Sequence, residues 1–82
     1  MKTVVLYSRP DCHLCDQARA EIEAMRDQGF SFELREVDIE TDDALHSRYL
    51  ERIPVVAVGG ETVSELVLDA DAVRARLDTV RA

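Results

Sequence analysis

The sequence has no tryptophan, three glycines, two prolines and two cysteines among 82 residues, and its acidic residues far outnumber its basic ones. Each shortage excludes something. Two cysteines form at most one disulfide, and Cys12 with Cys15 closes a loop too small to staple a fold. Ten Lys and Arg against 17 Asp and Glu give a net charge of −7, which speaks against nucleic acid and against anionic membrane surfaces as partners. No apolar run approaches the roughly 18 residues of a membrane span. The N-terminal MKTVVLYSRP carries one Lys and a short apolar run, far from a signal peptide. The expected compartment is therefore the cytoplasm, where closely spaced cysteines point to redox or metal chemistry more than to a structural bridge. Prolines only at 10 and 54, and glycines only at 29, 59 and 60, imply short loops between continuous elements.

What is present is a 46% apolar composition, too high for a disordered acidic tail. The length allows one domain, residues 1–82, with a small core. Thr3 to Tyr7 (TVVLY) reads as a short strand buried on both faces. From Cys12 the period changes, and Leu14, Ala18, Ile22 and Met25 form one helical stripe that Gly29 ends. Phe30 to Ile39 alternates as a strand. Thr41 or Asp42 caps a second helix with Leu45, Tyr49 and Ile53 inward, ended by Pro54. Val55 to Val58 is a buried strand, Gly59-Gly60 a hairpin, and Glu61 to Leu66 the returning strand. Asp69 or Asp71 caps a last helix with Val73, Leu77 and Val80 on one face. The order β-α-β-α-β-β-α predicts an α/β fold, a four-stranded mixed sheet flanked by three helices, with the first βα steps favouring parallel strands.

Chemistry concentrates at Cys12-His13-Leu14-Cys15, where the first strand meets the first helix. A cysteine at a helix N-terminus faces free N–H groups and the positive end of the dipole, which favour the thiolate. Spacing i, i+3 sets the second sulfur one turn away on the same face, close enough to bridge. Cys12 is then the nucleophile toward a disulfide, and Cys15 the thiol that resolves the mixed disulfide. Arg9 and a protonated His13 favour the thiolate, whereas Asp11 and Asp16 oppose it. Two other readings stay open: a metal pair assisted by His13 or His46, and inert core cysteines. Pro54 is the second feature. It is either a helix stop and strand start, or a cis-proline that turns the Ile53 backbone toward Cys12 to pair with an extended substrate.

YSRPDCHLCDQA, IPVVAV and the element order together resemble the glutaredoxins, the smallest form of the thioredoxin fold, and most nearly short bacterial glutaredoxin-like proteins with Cys-His-Leu-Cys at the site. The resemblance covers essentially the whole chain. It implies that Cys12 is the nucleophile, Cys15 the resolving thiol and Pro54 a cis-proline facing them. Arg9, His13, Leu14, Ile53 and Pro54 are the expected substrate contacts. The departures are specific. Glutaredoxins typically carry Cys-Pro-Tyr-Cys, and Thr-Val before the cis-proline, where this chain has Arg52-Ile53. They hold glutathione with a Gly-Gly pair closely followed by Asp. Here the stretch reads Glu65-Leu66-Val67-Leu68-Asp69-Ala70-Asp71, so of that set Asp69 alone carries a glutathione contact, with Asp71 its alternative. Thioredoxins have a buried Asp where this chain has Leu6. The expectation is a thiol–disulfide oxidoreductase acting on a disulfide-bearing protein or small thiol, monomeric, without metal or tightly bound cofactor. The alternative is a non-enzymatic redox-sensing or binding module.

Overall fold

The computed structural model describes residues 2–78. Strand β1 (Lys2–Ser8) leads to helix α1 (His13–Asp27), strand β2 (Phe32–Asp38), a 3-10 turn (Ile39–Thr41) and helix α2 (Asp43–Tyr49). Strands β3 (Val55–Val58) and β4 (Glu61–Ser64) form a hairpin before helix α3 (Ala70–Asp78). The four strands lie in the order β2-β1-β3-β4. The β-α-β-α-β-β-α order and mixed sheet are as the sequence predicts.

The two most apolar strands, β1 and β3, take the centre, and the charged β2 and β4 take the edges, where polar and charged side chains blunt further pairing. Alternation divides their side chains between two faces. Val4, Leu6, Val56 and Val58 join Ala18, Ile22 and Met25 of α1 and Val73 and Leu77 of α3 in the larger core. On the other face Val55 packs with Ile39 and Tyr49, flanked by Tyr7, Leu45 and Ile53. The Tyr7 and Tyr49 rings stack with centroids 4.6 Å apart.

Several boundaries differ from the sequence reading. β1 is buried fully on one face only; Thr3, Val5 and Tyr7 are half-buried, because the seven-residue α2 is too short to cover their face. Cys15, not Leu14, heads the buried stripe of α1, and Leu14 is exposed. α2 closes at Tyr49, well before Pro54, so that the Arg52 and Ile53 N–H groups fold back onto the Tyr49 carbonyl. β3 runs antiparallel to β1, which leaves β1 and β2 the parallel pair. β4 ends at Ser64, and Val80 lies outside the described residues.

The glycine signals and the Asp42 cap act as predicted, whereas Pro54 does not end α2. Gly29, at φ +99°, follows the α1 cap. Its N–H bonds the Arg26 carbonyl and the next N–H, of Phe30, bonds that of Met25, both at 3.1 Å. This is a Schellman closure. Asp42 caps α2 by accepting from the Ala44 and Leu45 N–H groups. Gly59 and Gly60, at φ +61° and +86°, suit the tight hairpin turn.

Candidate functional site

The central strand β1 delivers the chain to a short turn, in which Asp11 takes φ +62°. Aspartate is among the side chains that tolerate this left-handed region. The turn leaves Cys12 as the N-cap of α1 in extended geometry, φ −102° and ψ 104°. Its Sγ accepts the Cys15 N–H at 3.1 Å. The sulfur thus occupies the place of a capping oxygen, among N–H groups that would otherwise lack a partner. Cys12 and Cys15 form a disulfide with Cα atoms 5.2 Å apart. The two differ in access: Cys15 is 0% exposed, whereas Cys12 is partly exposed.

The charges near the pair are tied to each other. The Arg19 guanidinium donates to Glu36 through Nε at 2.6 Å and again through Nη2, and to Asp16 Oδ1 through Nη1 at 3.0 Å. The buried Ser8 hydroxyl donates to Glu36 Oε2 at 2.8 Å. This chain of contacts fastens the first turns of α1 to the ends of β1 and β2, along an open cleft of about 370 Å³ that Arg9 and Asp11 also line. Asp16, expected to oppose a thiolate, has its charge offset by Arg19. Arg9 pairs with Glu40 at 3.1 Å. The exposed His13 ring has Nε2 3.0 Å from Gln17 Nε2.

The Arg19 hydrogen bonds hold the Glu36 carboxyl below the usual carboxylate range, with Ser8 adding and partial burial opposing. A depressed folded value means that the contribution to stability is complete above the ordinary Glu range and is lost as pH falls through the folded value. Glu36→Gln is therefore expected to lower stability at pH 7 by about 1 kcal/mol, a charge-assisted bond discounted for solvent screening. In melting curves this is a loss of about 4–8 °C that shrinks as pH falls below the ordinary Glu range. A difference independent of pH would show that Arg19–Glu36 is not the cause.

Pro54 is buried and its bond to Ile53 is cis. Tyr7 pairs with Val55, so the Pro54 turn and the cysteine turn leave the sheet at the same end. The Ile53 N–H donates to the Tyr49 carbonyl at 3.1 Å, so it is not free for the substrate pairing that the sequence reading gave it.

The segment between β4 and α3 completes this end of the molecule. Ser64 Oγ accepts the Asp69 N–H at 2.9 Å and lies 3.4 Å from the Val67 carbonyl. The Leu66 N–H donates to the Arg52 carbonyl at 2.8 Å, binding the segment to the turn before Pro54. Leu66, expected in the strand, has φ +64°. For a non-glycine residue this region costs roughly 1–2 kcal/mol. Asp69 Oδ1 caps α3 through the Ala72 N–H at 3.0 Å. The glutathione contact expected of Asp69 therefore falls on a carboxylate already engaged, beside Leu and Val side chains rather than bare glycine backbone. Leu14, Leu66 and Val67 converge on one shallow depression of about 70 Å³. Sequence reasoning missed Leu66 and Val67, and the signal was their apolar character where glycines were sought. Among the described residues, no three His, Cys, Asp or Glu side chains are grouped as metal ligands. Nor is any helix among them long and apolar enough to cross a membrane.

Residues 3–78 match the profile of the Glutaredoxin-like domain (DUF836). The solution structure of protein Ne2328 from Nitrosomonas europaea is similar, with a TM-score of 0.79 at 28% identity over 90% of this chain and 88% of that one. A structural genomics target protein from X. campestris gives 0.74 at 38% identity over 93% and 96% of the two chains. A mutant thioredoxin from Halobacterium salinarum gives 0.66 at 23% identity over 95% and 73%, a likeness of fold. No curated protein matches. The profile runs through both cysteines and on into α3, and the chain belongs to the glutaredoxin-like domain family.

Proposed function

We propose that this protein is a dithiol–disulfide oxidoreductase, with Cys12 the nucleophile and Cys15 the resolving thiol. The observation that carries the reading is the asymmetry of the pair. The partly exposed Cys12 caps a helix with its sulfur, and the completely buried Cys15 sits a turn behind it. In the reduced protein the Cys12 thiolate attacks one sulfur of a substrate disulfide. A Cys12–substrate bond forms, and the other sulfur leaves as a thiolate that takes a proton. Cys15, as thiolate, then attacks Cys12 Sγ. The Cys12–Cys15 bond forms and the second substrate thiol leaves, so two electrons have passed from protein to substrate. Arg9, His13 and Leu14 border the entering disulfide, and the Ile53 carbonyl beside Pro54 receives a substrate N–H. The substrate is a disulfide-bearing protein or small thiol compound in a reducing compartment, the cytoplasm. Asp69 is left to α3, and glutathione is not required as a cofactor.

A redox titration in dithiothreitol buffers, read by thiol alkylation and mass, tests this. One two-electron transition is expected, with a midpoint in the range of about −270 to −120 mV spanned by dithiols of this fold. A pair that stays oxidised throughout that range is structural, and the proposal fails.

A further inference from the structure

The two turns at the cysteine end of the sheet each carry an arginine. Arg9 precedes Pro10-Asp11-Cys12, and Arg52 precedes Ile53 and the cis-proline. Both face a carboxylate of this chain. Arg9 Nη2 lies 3.1 Å from Glu40 Oε2, on the 3-10 turn that follows β2. Arg52 Nη1 lies 3.8 Å from Glu65 Oε2, just past the end of β4. A third arginine at this end, Arg19, is shared by Asp16 and Glu36. Asp11, next to Cys12, is exposed and adds a further negative charge.

Stability does not account for the first two pairs. Their side chains are 41% and 40% exposed in one and 57% and 43% in the other, and ion pairs this open to water contribute little. The Arg52 turn is held by its backbone instead. Its N–H donates to the Tyr49 carbonyl and its carbonyl accepts the Leu66 N–H, both at 2.8 Å. What the pairs change is charge. An arginine that already faces a carboxylate attracts a second one weakly, while Asp11 still repels it.

We infer that Glu40 and Glu65 are specificity-determining residues of the exchange, which cancel Arg9 and Arg52 and so turn away anionic disulfides while admitting neutral and cationic ones. The inference rests on the oxidoreductase reading and names the charge class of its substrate. The bonds made and broken by Cys12 are the same for every disulfide. A carboxylate on the substrate changes only how often the sulfurs meet, so the effect lies in the second-order rate and weakens with salt.

The test uses the full chain, reduced, and follows its oxidation by three small disulfides. These are dithiodipropionate with two carboxylates, neutral bis(2-hydroxyethyl) disulfide, and cystamine with two ammonium groups. Each second-order rate is divided by that of the same disulfide with dithiothreitol, which removes differences in leaving-group acidity. At low ionic strength the dianion is expected to be about tenfold slower than the neutral disulfide, and cystamine at least as fast as the neutral one. Salt at about 0.5 M should close most of that gap. Glu40→Gln/Glu65→Gln releases both arginines and should narrow the gap to about twofold while leaving the neutral rate nearly unchanged. Glu23→Gln/Glu33→Gln alters the net charge equally, at exposed positions farther along α1 and at the other end of β2, and should leave the gap as it is. A dianion as fast as the neutral disulfide in the natural chain, or a gap that the two double variants narrow equally or not at all, overturns the assignment to Glu40 and Glu65 and leaves the oxidoreductase reading standing. Failure to react even with bis(2-hydroxyethyl) disulfide overturns both.

Discussion

Cys12→Ser is expected to abolish disulfide reduction, by roughly a thousandfold or more, the scale on which removal of a nucleophile acts. Cys15→Ser is expected to leave the first attack intact and to stop the reaction halfway. The reason is geometric. Cys12 caps α1, with the Cys15 N–H 3.1 Å from its sulfur, and a negative charge there is favoured by that bond and by the helix dipole. A serine at the same position keeps the cap but is not ionised near neutral pH. Cys15 is 0% exposed in the disulfide form, so an external disulfide is expected to meet Cys12 first. With Cys15→Ser the Cys12–substrate bond forms and persists, since the backbone N–H remains and only the resolving sulfur is gone. Intact-mass spectrometry after mixing with bis(2-hydroxyethyl) disulfide should show a stoichiometric adduct on Cys15→Ser and none on Cys12→Ser. The reverse pattern would exchange the roles of the two cysteines, and retained turnover in Cys12→Ser would remove the mechanism altogether.

The sequence made these cysteines legible because they fall where a five-residue apolar run gives way to a helical period. Period alone did not choose between Leu14 and Cys15 as the head of the buried stripe. Both positions fit the spacing to Ala18, Ile22 and Met25, and only the bridge to Cys12 accompanies the inward turn of Cys15. The direction of β3 was hidden for a related reason. Residues 39–54 are long enough for a parallel crossover, so length did not reveal that the chain returns antiparallel. The centre and edges of the sheet were easier, since VVLY and VVAV are apolar while FELREVD and ETVS are not.

Much of the site's frame had no sequence signature at all. Ser8 and Glu36 are 28 positions apart, and Arg19 and Glu36 are 17 apart, so their union appears only when β1 and β2 lie in parallel register with α1 across them. The same holds for Leu66. A leucine at positive φ breaks a local preference, and the tertiary bond to Arg52 that holds it joins two turns distant in the chain. Rules of local consistency fail at this end of the sheet, where the cysteines lie, and hold at the other. There Gly59 and Gly60 turn the hairpin as their residue type predicts.

Leu6→Ala is expected to be the most damaging single truncation for stability while sparing the chemistry. Leu6 is 0% exposed at the middle of β1, with its side chain in the cluster that joins the sheet to α1 and α3. Removing a buried leucine side chain costs about 2–5 kcal/mol, through lost transfer energy and the cavity left behind. A domain this small has a total stability of about 5–15 kcal/mol, so the loss is a large fraction of the whole. It should appear as a fall of about 8–40 °C in the thermal midpoint, at about 4–8 °C per kcal/mol for a chain of this size. No disulfide offsets it, because the Cys12–Cys15 bridge spans only one helical turn and lies at the end of the strand. Well below its midpoint the variant should still form the Cys12–substrate bond, because the cap geometry belongs to residues 12–16 and not to the core. Circular dichroism melts of the oxidised protein, beside exchange rates at 10 °C, separate the two effects. A midpoint lowered by less than 3 °C would mean that the cluster collapses around the gap, and that Val4, Ile22 and Val56 are not the rigid walls that hold α1, and hence Cys12, against the sheet.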